Sequence, residues 1–248
     1  LTQRKNSEEA LIIAKELAEQ SDRLKSEFLA QMSHEIRTPL NIIVSNSVFL
    51  KEELAGTINS ELIPCFGSVV IASKRIIRTI DLILNMSEVQ TGSIQISLQK
   101  IELVSRIVQP LIAEYINLAK SKNIELTFIS HVDKAVVNCD DYCVTQIFAN
   151  LIDNAIKFTN KGKVEVSLLK NDYDEFVFEV KDTGIGMSAM FIQNLFKPFS
   201  QEEQGYQRAF DGNGLGLALV KKYCDLNNAR IEVESTKNVG STFRVILK

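Results

Sequence analysis

The sequence has few residues of the kinds that bind metals or form disulfides. Its 248 residues include only four cysteines and two histidines, and no two cysteines form a C-x-x-C pair. A structural zinc site or a disulfide framework needs a cluster of such residues. Neither is therefore expected, and the cysteines are expected to be reduced thiols.

Long hydrophobic runs and excess positive charge are also absent. No apolar run approaches the roughly 20 residues of a membrane-spanning helix, and the N-terminus lacks the basic-then-apolar order of a signal peptide. The net charge is −3 and the isoelectric point is about 5.6, so no basic surface for nucleic acid or an anionic membrane is expected. Because the chain begins with Leu1, we expect a part of a longer protein, either membrane-anchored or soluble. Reduced thiols indicate that this part is cytoplasmic.

Apolar residues at helical spacing predict a helical hairpin in the N-terminal part of the chain. A heptad pattern predicts a coiled-coil helix over residues 1–22. An apolar stripe continues this helix to residue 54, and after a break at residues 56–64 a second stripe predicts another helix. Two helices alone bury too little apolar surface, so residues 23–91 are predicted to form a four-helix bundle as a homodimer.

Residues 92–248 consist of short β-like runs mixed with helical stretches, which predicts a separate α/β domain with a mainly antiparallel sheet. Alternating apolar residues in two of these runs indicate that helices cover one face of the sheet. The predicted strands are residues 94–98, 124–129, 164–169, 176–180, 231–234 and 243–247.

The first candidate site lies on the long helix, in residues 34–41 (HEIRTPLN). His34 is off the apolar stripe, so its imidazole is expected to face solvent. Neutral imidazole is nucleophilic near pH 7, and Glu35 can hold its other nitrogen and accept the proton. Pro39 removes a helical donor and is expected to bend the helix. Taken alone, the segment would more often be a solvated histidine before a chance proline.

A polar stripe on a later predicted helix forms the second candidate site. Gln146, Asn150, Asn154 and Lys157 share one helical face, opposite an apolar face. Mg²⁺ takes oxygen ligands and is usually shared with nucleotide phosphates, which fits the amide oxygen of Asn154 with Lys157 near the phosphate charge. The stripe alone fits a solvated helix face equally well.

Two glycine clusters form the remaining candidate sites. Residues 182–187 (DTGIGM) follow a predicted strand, where the glycines permit a tight turn and Asp182 can accept from an adenine amino group. Residues 211–219 (DGNGLGLAL) lead into an apolar helix and can present backbone N–H groups to phosphates. The polar residues 200–213 look like a mobile lid. Each cluster alone is also typical of a turn or of a loop capped by a helix.

Taken in order, these blocks resemble the five motifs of sensor histidine kinases: an H-box at His34, an N-box over residues 150–158, a G1-box at Asp182, an F-box over residues 196–199 and a G2-box over residues 212–216. The resemblance covers residues 21–248. It implies a dimerisation and histidine-phosphotransfer domain over residues 23–91. It also implies a GHKL-type (Bergerat) ATP-binding α/β sandwich over residues 92–248.

The resemblance implies roles for individual residues. His34 is expected to be the phosphoacceptor, Asn154 the Mg²⁺ ligand and Asp182 the adenine contact. Glu35 and Thr38 fit an E-x-x-T pattern that supports dephosphorylation of the partner, with Thr38 positioning the attacking water. The expected ATP-binding residues are Asn150, Asn154, Lys157, Phe158, Asp182, Gly184, Gly186, Gly212, Gly214, Leu215 and Gly216.

The implied activity is transfer of the γ-phosphoryl group of Mg-ATP to His34, with Glu35 as base, and onward transfer to an aspartate of a response regulator receiver domain. Phosphatase activity toward that regulator is expected as a second function. Two alternatives remain open. A GHKL-type ATPase driving conformational work would keep its activity after His34→Ala, and a non-catalytic dimerising scaffold would bind no nucleotide.

Overall fold

The structure is a computed structural model that describes residues 2–54, 62–202 and 213–248, with the backbone alone for most residues before Phe28. The chain forms two compact units, Leu1–Ile94 and Gln95–Lys248. Each is described separately below.

The first unit is a helical hairpin, as predicted. Helix α1 (Thr2–Glu53) continues through Pro39 and packs against helix α2 (Ile63–Thr91). The predicted break over residues 56–64 extended too far, because Pro64 already belongs to the first turn of α2, where a helix needs no backbone donor. Residues 55–61 lie outside the described residues. The end of α2 is capped by Gly92, which adopts a left-handed conformation at φ 68°.

The hairpin leaves much of its apolar surface uncovered. Ile36, Ile43 and Leu50 lie seven residues apart on α1 and are 39%, 43% and 43% exposed. The small polar residues Ser33 and Ser73 are instead buried in the described hairpin. An exposed apolar stripe at this spacing is typical of a helix that packs against a further helix.

The second unit contains seven strands and four α-helices among its described residues. Its main sheet has the strand order β2-β4-β5-β7-β6 and is antiparallel except for the β2–β4 pair, which confirms the mainly antiparallel prediction. Strands β1 and β3 form a separate antiparallel pair. The elements are β1 (Gln99–Glu102), α3 (Gln109–Ser121), β2 (Ile124–Ser130), β3 (Val136–Cys139), α4 (Asp141–Phe158), β4 (Gly162–Lys170), β5 (Phe176–Asp182), α5 (Ala189–Ile192), α6 (Gly216–Leu226), β6 (Arg230–Thr236) and β7 (Gly240–Leu247).

One predicted strand is wrong, and two strands, β1 and β3, were not predicted. Residues 94–98 are irregular, although their alternation of apolar and polar residues resembles a strand. The N–H of Ser97 bonds the side chain of Asp140 instead of a neighbouring strand. The ladder starts two residues later at Gln99, which pairs with Cys139 of the unpredicted strand β3.

Helices α3, α4 and α6 pack with the main sheet to form the core. Val164, Val166 and Leu168 of β4 are fully buried, as their alternation predicted. The rings of Phe148 in α4 and Phe178 in β5 stack with their centroids 3.6 Å apart. This layer of helices on one face of the sheet holds α4 and α6 beside each other.

Three of the four cysteines are buried thiols in this second unit. Burial raises the pKa of Cys139 to about 11 and those of Cys143 and Cys224 to about 12. Cys65, at the start of α2, is exposed.

Every described helix falls short of the combined length and hydrophobicity that a bilayer-spanning segment requires.

Candidate active site

The side chain of His34 is exposed on α1. Ser33 beside it is 2% exposed and packs into the hairpin. Thr38 donates its hydroxyl to the carbonyl oxygen of His34 at 3.1 Å. Glu35 and Thr38 are exposed as well. The three residues predicted to perform phosphoryl chemistry therefore lie on the helix surface, where a reacting group can reach them.

An ion pair joins the two helices three residues after His34. Arg37 Nη2 lies 2.5 Å from Asp81 Oδ1. The side chains are 44% and 41% exposed, and an ion pair in water contributes at most about 1 kcal/mol to stability. The pair therefore orients the helices near His34 more than it stabilises them.

Helix α4, which carries the N-box, is fixed at its first turn by Asp140. Its Oδ1 accepts the N–H of Cys143 at 2.9 Å, and its Oδ2 accepts the N–H of Ser97 at 2.9 Å. Burial alone would raise the pKa of Asp140, but these hydrogen bonds to the ionised carboxylate outweigh it and lower the pKa. Asp140 also donates its own N–H to Asn227 Oδ1 at 2.7 Å.

Asn150 is buried rather than solvated. It is 7% exposed, and its Nδ2 donates to the carbonyl of Gln146 at 2.8 Å. Asn154 and Lys157 follow on the same helix and are half-buried. The ammonium of Lys157 lies 4.8 Å from the centroid of the Phe158 ring. A solvated helix face, the alternative that the sequence left open, does not describe Asn150.

Asp182, at the end of β5, is a buried carboxylate with two backbone donors. Its Oδ1 accepts the N–H of Gly184 at 2.8 Å and that of Ser241 at 3.3 Å. Burial raises the pKa of Asp182, and these two hydrogen bonds only partly offset the increase. Among the described residues both donors bind Oδ1, which leaves Oδ2 to accept from a ligand.

The loop after Asp182 can be built only with glycine at two of its positions. A Cβ on Gly184 would collide with the carbonyl oxygen of Phe158, the last residue of α4. Gly186 has a left-handed φ of 59°, and a Cβ there would collide with the carbonyl oxygen of Thr236. The N–H of Ile185 donates to the Phe158 carbonyl at 3.1 Å. The glycines of this motif thus allow the loop to lie directly against α4 and β6.

The glycines that precede α6 form the next part of the site. Gly214 has a φ of 70° and accepts the N–H of Phe199 at 2.9 Å. Leu215 is buried, and Gly216 begins α6 beside Asn150. Gly212 and most of the predicted lid lie outside the described residues.

Three residues that bear on Asp182 were not predicted from the sequence. Ser241 donates its backbone N–H to the carboxylate. Gly240 has a φ of 137°, and a Cβ there would collide with the carbonyl oxygen of Asp182. Ser235 accepts the N–H of Met187 at 2.8 Å. The only sequence signal for them was the Gly-Ser-Thr run before the last predicted strand.

The second unit thus brings the predicted nucleotide residues together in one place. Asn150 meets Gly216, and the Asp182 loop lies on the end of α4 at Phe158. Gly186 is close to the Gly240 carbonyl. Asn154 and Lys157 continue along the same helix. The arrangement joins a buried carboxylate, a buried amide and a glycine-lined helix N-terminus, which are groups that can bind a base and phosphates.

Two family models match the chain. The model of the His Kinase A (phospho-acceptor) domain matches residues 7–92. The model of the Histidine kinase-, DNA gyrase B-, and HSP90-like ATPase matches residues 139–248.

Full-length sensor kinases are among the similar proteins. The Autoinducer 2 sensor kinase/phosphatase LuxQ of Vibrio cholerae is 33% identical over 244 residues, covering 94% of this chain and 27% of LuxQ. The Sensor histidine kinase RcsC of Escherichia coli is 34% identical over 246 residues, covering 99% of this chain and 25% of RcsC. The chain thus spans about a quarter of the length of these relatives.

Solved structures share the fold. Full-length ShkA, solved in complex with AMPPNP, superposes with a TM-score of 0.69 at 24% identity, covering 89% of this chain and 45% of ShkA. The Acinetobacter baumannii histidine kinase AdeS gives a TM-score of 0.58 at 19% identity, covering 87% of this chain and 97% of AdeS. Fold and motifs together define a two-domain kinase core. The chain belongs to the sensor histidine kinases of two-component systems and carries their phospho-acceptor and ATP-binding domains.

Proposed function

We propose that the chain uses ATP to phosphorylate its own His34 and passes the phosphoryl group to an aspartate of a response regulator receiver domain. The observation that carries the proposal is the presence, in one chain, of an exposed imidazole on α1 and of the buried Asp182 carboxylate at the end of β5, followed by a loop that lies against α4. Because the reaction consumes ATP, we place the kinase core in the cytoplasm.

The residues around Asp182 and at the start of α6 fit an adenine nucleotide. An ionised Asp182 accepts from the adenine amino group through Oδ2, since its Oδ1 already binds two backbone N–H groups. The amides at the start of the 11-residue helix α6 provide donors and the positive end of a helix dipole for phosphates. Gly216 has no side chain that would cover the amide of Asn150, so a polyphosphate can approach this amide.

The polar end of α4 fits a metal-bound polyphosphate. Asn154 would hold Mg²⁺ through its amide oxygen, and the ion would neutralise phosphate charge when bound. Lys157, one turn further along, adds a positive charge beside the phosphates. Phe158 supports the ammonium group of Lys157 through the contact of 4.8 Å to its ring.

In the proposed reaction, the neutral imidazole of His34 attacks the γ-phosphorus of ATP. An N–P bond forms, the bond between the γ-phosphorus and the bridging oxygen breaks, and ADP leaves. Glu35 accepts the proton from the other ring nitrogen as positive charge develops. The exposed position of His34 and Glu35 on α1 supports this step because neither side chain must first leave a packed core.

Exposed apolar side chains support a homodimer through the hairpin. Ile36, Ile43 and Leu50 form a continuous stripe in which each residue is about two-fifths exposed. A four-helix bundle made from two hairpins would cover such a stripe. The dimer is therefore proposed to be the form in which the kinase acts.

A second activity, dephosphorylation of the regulator, is also proposed. Thr38 and Glu35 are exposed near His34. The Thr38 hydroxyl donates to the backbone carbonyl of His34, and a water molecule can easily replace this carbonyl as the acceptor. LuxQ is named a sensor kinase/phosphatase. Thr38→Ala should keep autophosphorylation but slow the release of phosphate from a phosphorylated receiver domain.

Labelling with γ-³²P-ATP tests the proposed kinase. The unchanged chain should take up acid-labile, alkali-stable label, and His34→Ala should take up none. His131→Ala, which removes the other histidine, should be labelled normally. Nucleotide hydrolysis that survives His34→Ala without protein label would favour the ATPase alternative. If Mg-ATP stabilises neither the unchanged chain nor the Asn154→Ala variant against thermal unfolding, the scaffold alternative is favoured.

A further inference from the structure

Residues 183–187, the adenine loop, follow Asp182, and hydrogen bonds from several elements hold their backbone. The Ile185 carbonyl accepts the N–H of Asn238 at 2.6 Å, and the Ile185 N–H donates to Phe158. The Met187 N–H donates to Ser235 at 2.8 Å. These partners belong to α4, to β6 and to the β6–β7 turn. They hold residues 185–187, and the next amide, that of Ser188, has a different partner.

That partner is the carboxylate of Glu202. Its Oε1 accepts the N–H of Ser188 at 3.1 Å and lies 3.3 Å from the ammonium of Lys237 in the β6–β7 turn. The Glu202 side chain is 22% exposed, whereas that of Lys237 is 57% exposed. Burial alone would raise the pKa of Glu202, but the bonds from Ser188 and Lys237 outweigh it and lower the pKa. Glu202 is therefore a charged side chain that bridges two turns.

Glu202 also stands at a defined point of the chain. Three residues earlier, Phe199 has a left-handed φ of 61°, which is strained for a phenylalanine. Its N–H donates to Gly214 at 2.9 Å. The chain between Phe199 and Glu202 is thus attached to the glycine motif at one end and to the adenine loop at the other.

We propose that Glu202 is a positioning residue for ATP, which fixes the adenine loop to the chain that leaves the F-box. This inference rests on the proposed function. Glu202 acts through Ser188 and Lys237 and does not itself touch the nucleotide. Loss of the Glu202 side chain allows the adenine loop to move, so ATP binds more weakly. Once ATP is bound, the phosphoryl transfer step proceeds at its usual rate.

Steady-state autophosphorylation and direct titration with Mg-ATP test the proposal in the full chain. Glu202→Ala removes both contacts and should raise the KM and the dissociation constant for ATP by about three- to tenfold, with kcat within about twofold. Glu202→Gln and Lys237→Met each remove the charge pair. The double variant Glu202→Gln/Lys237→Met should have the same ATP affinity as the single variant that binds ATP more weakly, because both changes break the same contact.

Asp174→Asn is the matched control. Asp174 lies in the β4–β5 turn and forms an ion pair with Lys170 at the end of β4, so the change also removes a carboxylate from an ion pair. Asparagine tolerates the left-handed backbone at this position. ATP affinity should be unchanged. The proposal is overturned if Glu202→Ala leaves both constants within twofold of the unchanged chain, or if kcat falls instead of affinity. An unchanged chain that binds Mg-ATP but takes up no label refutes the kinase proposal alone, because the titrations still measure the role of Glu202.

Discussion

Gly216, the first residue of α6, faces Asn150 of α4 so closely that a Cβ on Gly216 would lie 3.2 Å from Asn150 Oδ1. Asn150 cannot simply turn away, because its Nδ2 donates to the carbonyl of Gln146. The N-box helix and the G2 glycines are therefore in direct contact. The glycine serves this close approach rather than a special backbone conformation, since Gly216 has no positive φ.

Gly216→Ala should separate stability from nucleotide affinity. Alanine is favoured over glycine in a helix by up to about 1 kcal/mol, so the melting temperature without ligand should stay the same or rise. The added methyl group displaces the Asn150 amide by a few tenths of an ångström. ATP affinity should fall by about three- to tenfold, since a buried polar contact is misplaced. Titration calorimetry measures the affinity, and Gly67→Ala, where a Cβ meets no atom within 4 Å, is the control. Unchanged affinity would contradict the assignment of this contact.

Asp182→Asn should weaken ATP binding by at least about tenfold. The asparagine Oδ1 can still accept from Gly184 and Ser241, which turns its NH₂ group toward the position of the adenine amino group and sets donor against donor.

Because burial raises the pKa of Asp182, the ionised group costs stability above its folded pKa. The variant should therefore equal or exceed the unchanged chain in stability at neutral pH, and this gain should vanish at low pH. Urea unfolding across pH and ATP titration check the two parts, and a large loss of stability at pH 7 would argue against it.

Asp140→Ala should lower the free energy of unfolding by about 2 to 3 kcal/mol at neutral pH, because it removes a helix N-cap and two hydrogen bonds to a buried carboxylate. The folded pKa of Asp140 is lowered. Its contribution is therefore present above the unfolded pKa and lost as the pH falls through the folded pKa. Urea unfolding at several pH values should show the unchanged chain and the variant converging in acid. A difference that persists there would point to packing rather than charge.

Ile43→Asp should dissociate the proposed dimer. A charge placed in the exposed apolar stripe would be buried without a partner in a four-helix bundle. Ser45→Asp, also exposed on α1, introduces the same charge away from that stripe. Sedimentation equilibrium should give a monomer for the first variant and a dimer for the second. If both variants are dimers, or if both are monomers, the interface does not lie at this stripe.

The periodic elements of this fold could be predicted from the sequence, whereas its short pairings could not. Strands β4 and β5 alternate because helices cover one face, and this alternation is visible in the residues themselves. Residues 94–98 alternate as well, but Ser97 bonds to Asp140, a contact between residues 43 positions apart. A local pattern carries no information about such a partner.

The candidate site divides in the same way. Asp182 and the glycines form local motifs, and the motifs identified them. Ser241 and Ser235 reach the site because β7 pairs with β5 and β6 pairs with β7, and Glu202 reaches it because the chain returns after Phe199. These positions depend on sheet order and chain path, which the amino-acid pattern alone does not determine.

The distribution of thiols gives the molecule a natural attachment point. At neutral pH the cysteines of the nucleotide unit remain protonated and shielded, so alkylating reagents will spare them. Cys65, exposed at the first turn of α2, is the accessible sulfhydryl. A spin label or dye added to the unmodified chain will therefore report on the hairpin alone. In a dimer, the distance between the labels on the two Cys65 residues would measure the separation between the first turns of the two α2 helices.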